Sequence, residues 1–333
     1  MSSSCILANL LVTGGTGQIG SFLCDELVNQ ENTVLCYDTR ASADILRSPT
    51  GRIRTFVGDV TDFDGLLEVS RLNSIDCIIH LAALLVLESK EHPSRSYRTN
   101  ILGTNNVMEV ARLLDIAKII FASSVTVYGL PKTKTRGVAD EDDIPDVPCD
   151  PYSTSKAAAE LMGRFYRDTY GLDITCLRLA GAWGPGRYSG YTGQFNDFIR
   201  RVAVDESARI PEDFAYTGAK LRWLYVKDVG RCFAHAAESS RPKSYLYNTG
   251  SERPFKASEV VGILRSLFPG AEIELTQRDE PTELSRTVAG PNGLDVDCSR
   301  LYRELGFEPR FDLNSAVKDM VDLERSKLNL SPL

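Results

Sequence analysis

Short runs that are apolar throughout alternate with stretches of helical periodicity along the first 180 residues. Ala8–Thr13, Thr33–Asp38, Ile53–Val57, Cys77–Leu81, Lys118–Ser123 and Ile174–Leu179 read as strands, and most lack the polar alternation of a half-buried sheet. Strands of that kind are covered on both faces. Amphipathic spans near 17–30, 62–72, 94–115 and 153–170 separate most of them, so the pattern is a series of βα units. The predicted fold class is α/β, a Rossmann-like doubly wound parallel sheet. After Gly181 the pattern loosens into loops containing Gly, Tyr and Pro. It resumes with a helix near 194–204, the arginine-bearing segment Leu221–Val226 and a strand at Tyr245–Asn248. The expected division is therefore a dinucleotide-binding domain over 1–180 and a smaller, irregular C-terminal substrate lobe over 181–333, with segments near 222–250 returning to the first domain.

Composition fits this picture and narrows the partners. At 333 residues, with 43% hydrophobic and 25% charged positions, the chain has the make-up of a globular enzyme rather than of a disordered or disulfide-stapled protein. A net charge of −7 disfavours nucleic acid or an anionic membrane as partner. No run reaches the ~20 apolar residues needed for a membrane helix, and Met1–Cys5 has no signal-peptide character. The eight scattered cysteines read as buried free thiols of a reducing cytoplasm. His80, His92 and His235 have no metal-ligand spacing, so no metal is expected. The acidic run Asp140–Asp143 reads as a solvated loop.

Two motifs carry chemistry. The first strand runs into Gly14-Gly-Thr16-Gly17-Gln18-Ile19-Gly20 and then a helix. Spaced glycines let the chain turn tightly and bring backbone N–H groups and a helix N-terminus against a pyrophosphate. Asp38 ends the second strand, 18 residues after Gly20, where a carboxylate accepts ribose hydroxyls and repels a 2′-phosphate. NAD is thus favoured over NADP, with Arg40 as the residue that could relax the choice. Asp59 and Val60 follow the third strand, where a short carboxylate can reach the adenine amino group; a plain turn aspartate remains the alternative. In the second motif Tyr152 and Lys156 lie at i and i+4 on one helix face, so the ammonium can lower the phenol pKa. Ser123 and Ser124 stand at the carboxyl edge of the fifth strand, where doubly wound folds bind ligands.

With these motifs, together with His80–Ala83, Asn100–Val107, Val127–Gly129 and Trp183–Pro185, the sequence resembles the extended short-chain dehydrogenase/reductase superfamily, in particular its NAD-dependent epimerase/dehydratase family. The resemblance implies Tyr152 as acid/base, Lys156 as its electrostatic partner and ribose ligand, and Ser124 as the hydroxyl holding the substrate oxygen. It implies cofactor contacts at Leu81, Ala82, Ala83 and Ser123, support from Asn100, and a homodimer. His80 reads as a satisfied core histidine. Val125 and Thr126 stand where dehydratases and decarboxylases of the family carry acids, which argues against those reactions. Gly181 occupies the place where nucleotide-sugar epimerases keep an asparagine for the diphosphate, and the apolar loop Leu81–Leu85 lacks the lysine of some galactose epimerases. Glu160–Tyr166 and Gly181 look more like short-chain threonine dehydrogenases, whereas Arg222 sits where nucleotide-sugar enzymes hold a phosphate; a structural ion pair is its alternative. Leu85, Ser124, Thr126, Gly181 and Arg222 are accordingly the candidate substrate residues. The expected reaction is NAD-dependent oxidation of a secondary carbinol on a small polar sugar, sugar acid or hydroxy amino acid. Alternatives are a nucleotide-sugar epimerase with transiently reduced NAD and, more distantly, a non-catalytic NAD-binding protein.

Overall fold

The computed structural model describes residues 8–40, 51–129, 138–143, 150–216, 220–275, 278–280, 282 and 295–333. Seven parallel strands form the central sheet: β1 (Asn9–Thr13), β2 (Thr33–Asp38), β3 (Ile53–Val57), β4 (Cys77–His80), β5 (Lys118–Ser124), β6 (Asp173–Leu179) and β7 (Leu246–Thr249). Their order is β3-β2-β1-β4-β5-β6-β7. The chain reverses its winding between β1 and β4, and the crevice at their carboxyl ends is where such sheets bind ligands.

Helices cover both faces, as strands apolar on each side require. On one, α1 (Gln18–Asn29) packs against α8 (Val226–Glu238), burying Leu23, Leu27, Val229 and Phe233. On the other, α2 (Phe63–Leu72), α5 (Gly103–Leu113) and α6 (Pro151–Tyr170) bury Leu66, Val107, Val110 and Tyr166. Pro151 at the first turn and Asp150, whose side chain accepts from the Ser153 amide, start α6 two residues earlier than its apolar spacing suggests.

The helix expected near 94–115 is not uniform. Short helices α3 (Val86–Glu91) and α4 (Pro93–Tyr97) precede a π-helical turn over Arg98–Leu102 that leads into α5. Such turns insert an extra residue and re-aim a side chain, here that of Asn100.

The C-terminal elements α7 (Gly190–Ala203), α9 (Ala257–Leu267) and α10 (Leu313–Lys327) enclose an aromatic core of Trp183, Phe195, Phe214, Trp223 and Phe255. The expected segment Leu221–Val226 contributes only a two-residue strand, Leu224–Tyr225, paired with Ala182–Trp183 before α8 begins. The acidic run departs from its solvated reading: Glu141 is buried, accepts from the Asn248 amide at 2.7 Å and lies 3.5 Å from Arg300. The six described cysteines are free and buried; Cys5 and Cys149 lie outside the described residues. Among the described residues no helix is long and apolar enough to cross a membrane.

Candidate active site

The glycine-rich turn is built by contact. Gly14 has φ +70°, and a Cβ there would lie 2.8 Å from the Ala82 amide nitrogen. One on Gly20 would lie 2.7 Å from the Gly15 carbonyl carbon. The turn and the loop after β4 can therefore touch only as bare backbone. Helix α1 starts at Gly17 with no side-chain cap and no acid in its first turn. Its leading N–H groups thus have neither an intrahelical partner nor a side-chain acceptor, as an anion cradle requires. At the end of β2, Asp38 accepts weakly from the amides of Thr16 (3.2 Å) and Arg40 (3.4 Å) and stays half-buried beside the turn. Leu81, Ala82 and Ala83 lie half-buried over it. Gln18 reaches across the crevice, donating to the carbonyls of Gly184 (2.8 Å) and Pro185 (3.2 Å).

Three expected cofactor residues make contacts within the protein. The Asp59 carboxylate caps Thr61, accepting from its amide and hydroxyl at 2.9 Å, as a turn aspartate does. Val60 is buried against α5 at Gly103. Ser123 points away from the crevice and donates to Glu160 at 2.5 Å, because adjacent residues of a strand face opposite sides. Glu160 in turn holds Arg178 in a buried two-pronged pair at 2.8 and 2.7 Å.

At the carboxyl end of β5, the Ser124 hydroxyl accepts from the Thr126 amide (3.2 Å) and hydroxyl (3.0 Å) and lies close enough to Tyr152 to favour its charged form. Burial pushes the Tyr152 phenol up to about 12, with the Ser124 hydroxyl pulling the other way. Lys156 is buried, donates to the Ala122 carbonyl at 2.7 Å and lies 5.6 Å from the centre of the Tyr152 ring. Burial lowers its ammonium to about 8. A phenol that resists ionising and an ammonium that resists remaining charged are packed together, and each relieves the other when the pair becomes phenolate and ammonium.

A polar brace holds the opposite wall. Asn100 accepts from the Leu84 amide (2.8 Å) and donates to the Leu84 carbonyl (3.0 Å) and to Ser155 (3.1 Å), the residue before Lys156. It thereby ties the loop Leu81–Leu85 to α6. Leu85 is half-buried at the entry to α3. His80 bridges Thr13 (2.6 Å) and Thr104 (3.0 Å); since Thr104 gives its own proton to the Asn100 carbonyl, it accepts from Nε2–H of a neutral ring. Burial lowers the His80 pKa to about 3, which makes it a core strut.

Two further expected substrate residues, Gly181 and Arg222, are tightly engaged within the protein. A Cβ on Gly181 would lie 2.7 Å from Trp223 Cγ, and closer still to Cδ1 and Nε1. Arg222 forks onto Asp295 and donates to the carbonyls of Ser251 (3.2 Å) and Glu252 (2.6 Å), so it forms a structural ion pair. A residue that sequence reasoning passed over stands nearer the chemistry: Arg187 is half-buried and close enough that its charge and that of Tyr152 influence each other. Its only signal was its place two residues after Pro185.

Residues 10–250 match the model of the NAD dependent epimerase/dehydratase family. A UDP-glucose 4-epimerase of Halalkalibacterium halodurans is 28% identical, covering 91% of each chain. The crystal structure of Thermotoga maritima UDP-glucose 4-epimerase with UDP-glucose superposes with a TM-score of 0.82 at 26% identity, covering 96% of this chain and 99% of the other. L-threonine dehydrogenase from Clostridium difficile shares the fold, with a TM-score of 0.80 at 23% identity over 96% of this chain and 98% of its own.

Proposed function

From the premise that the chain belongs to the NAD dependent epimerase/dehydratase family, we propose that it is a dehydrogenase that oxidises a secondary alcohol on a small polar substrate and releases the product. The crevice suits the cofactor. The uncapped start of α1 would hold the pyrophosphate, Asp38 the adenosine ribose, Leu81–Ala83 the flank, and Tyr152 with Lys156 the nicotinamide end. Bound NAD supplies the hydride acceptor. The chain supplies the proton chemistry. Ser124 holds the substrate hydroxyl at the Tyr152 oxygen, Tyr152 as phenolate takes its proton, and Lys156 stabilises the phenolate that makes this transfer possible. As the carbinol carbon gives up its hydride, the oxygen becomes a carbonyl, and the proton stays on Tyr152 until solvent takes it.

Release of the product is supported by how Gly181 and Arg222 are used. An epimerase must retain its keto intermediate through a rotation, which calls for a grip on the distant end of the substrate. Of the two positions where nucleotide-sugar enzymes place such a grip, one is filled against Trp223 and the other is engaged by Asp295. The epimerase relatives support a second reading, interconversion of nucleotide sugars without net reduction of NAD. The stoichiometry of NADH per substrate consumed, measured on free sugars, hydroxy acids and nucleotide sugars, separates the two. One NADH per non-nucleotide alcohol supports the dehydrogenase; interconversion of nucleotide sugars with no net NADH refutes it.

A homodimer in the cytoplasm completes the reading. Leu161 and Phe165 on α6, with Leu102 and Leu113 at the ends of α5, expose 46–69% of their surface on neighbouring helices. Light scattering at twice the chain mass would support it, and at the chain mass would refute it.

A further inference from the structure

Among the described residues, most arginines below the surface pair with a carboxylate, and Arg167, which does not, spends both terminal nitrogens on the carbonyls of Ile174 and Pro242. Arg178 pairs with Glu160, Arg222 with Asp295, and Arg300 with Asp142 and Glu141. Arg187 breaks the pattern. Its Nε donates to the Ser189 carbonyl at 3.0 Å, but among the described residues Nη1 and Nη2 have no hydrogen-bond partner and no carboxylate lies in ion-pair range. The acid whose charge reaches it, Glu88, sits exposed on α3. Removing a guanidinium from water without giving it an anion is costly, so the arrangement suits a site completed by a ligand.

The position is prepared rather than incidental. Asn196 accepts from the Gly184 amide at 2.8 Å and donates to the Arg187 carbonyl at 2.9 Å, while Gln18 ties Gly184 and Pro185 to the start of α1. The guanidinium lies over Gly190, where a Cβ would come within 2.5 Å of Nη2. Backbone and stem are thus held in place while, among the described residues, the two terminal nitrogens have no hydrogen-bond partner, within electrostatic reach of Tyr152.

We propose that Arg187 is the specificity-determining residue of this enzyme and binds a carboxylate carried by the same molecule whose hydroxyl meets Tyr152. The free edge of a guanidinium presents parallel N–H groups that match the two oxygens of a carboxylate. A single fork suits one planar anion, and Arg222, the other arginine considered for a phosphate, is engaged by Asp295. This selects the acids among the substrates named above: sugar acids and hydroxy acids, including hydroxy amino acids. The inference rests on the dehydrogenase reading, and the test keeps the two apart.

The NAD-supplied enzyme is assayed for NADH with matched pairs: 3-hydroxybutyrate against 1,3-butanediol, L-threonine against threoninol, glucuronate against glucose, and UDP-glucuronate against UDP-glucose, the last pair also for interconversion. The wild type should favour the acid of at least one pair by roughly tenfold or more in kcat/KM. Arg187→Met should erase that preference, the acid losing roughly tenfold or more in kcat/KM beyond whatever the neutral partner loses. Arg187→Lys should keep part of it, since the charge remains and the fork is lost. Thermal shift of the NAD-supplied proteins with the same pairs reads binding directly, and checks that each variant is folded. Equal use and binding of acid and neutral partners by the wild type overturns the proposal, as does an equal loss on both partners in Arg187→Met. So does a preference for glycerol 3-phosphate over every carboxylate. Should only the UDP-sugars react, and without net NADH, the dehydrogenase reading falls, while UDP-glucuronate against UDP-glucose still tests Arg187 by the same criteria.

Discussion

Adding a single methyl group at Gly181 tests whether Trp223 is what requires a glycine there. In Gly181→Ala the new Cβ meets the Trp223 indole at 2.7 Å from Cγ, with Cδ1 and Nε1 closer still, whereas apolar atoms rest at about 3.5–4 Å. The ring would have to move by roughly an ångström. It has little room: Trp223 is 5% exposed and wedged among Tyr191, Phe195 and Phe214 at centroid separations of 5.9, 5.7 and 5.4 Å, close to edge-on. Overpacking of this kind costs about 1–3 kcal/mol, and Gly181→Asn, with more atoms to place, should fall at or beyond the upper end. Trp223→Ala alone should cost about 3–5 kcal/mol by leaving a cavity. In that background the alanine at 181 is freed of the ring and keeps only the strain of a φ of +158°, so the double mutant should recover the cost of the clash, about 1–3 kcal/mol relative to additivity. Urea unfolding of the four proteins measures this coupling, and unchanged denaturant slopes would show that the transition itself is the same. If Gly181→Ala unfolds at the wild-type midpoint, or the double mutant is additive within about 0.5 kcal/mol, then Trp223 does not dictate the glycine. Position 181 would then be open to the asparagine that the epimerase reading needs.

Tyr152→Phe keeps the ring and loses the oxygen; turnover should fall by roughly 10² or more with NAD affinity unchanged, and activity within a few-fold of wild type would remove Tyr152 from the reaction. NAD should bind at least about tenfold more tightly than NADP, a difference of about 1.4 kcal/mol, and Asp38→Ala should narrow that gap in a fluorescence titration. Glu160→Gln leaves Arg178 buried without its counter-charge and should lower unfolding stability by about 3–5 kcal/mol; a loss below about 1 kcal/mol would show the pair to be dispensable. His80 has a native pKa lowered to about 3 from the ordinary 6.5, so below pH 6.5 the unfolded chain takes up a proton that the native ring refuses. Its contribution, up to about 5 kcal/mol, should be complete above pH 6.5 and decline as pH falls toward 3, and an NMR titration of the ring near pH 6.5 would contradict this.

Periodicity alone carried the sheet, because strands buried on both faces must be apolar throughout and the helices between them must show one apolar stripe. The glycine turn, Asp38 and the Tyr152–Lys156 spacing were legible for the same reason: each depends on local geometry over a few residues. The residues that went astray depend on direction or on distant partners. Ser123 and Ser124 are neighbours in sequence, yet the pleat sends one to Glu160 and the other to Tyr152. Glu141 looked solvated among acids until the fold brought Asn248 and Arg300 to it. Arg222 and Arg187 are both arginines in loops of one lobe. The first is neutralised by Asp295, 73 residues later in the chain, and the second meets no carboxylate among the described residues. Charge balance in a folded protein is settled by which side chains share a volume removed from water, and that sharing is decided only when distant segments pack together.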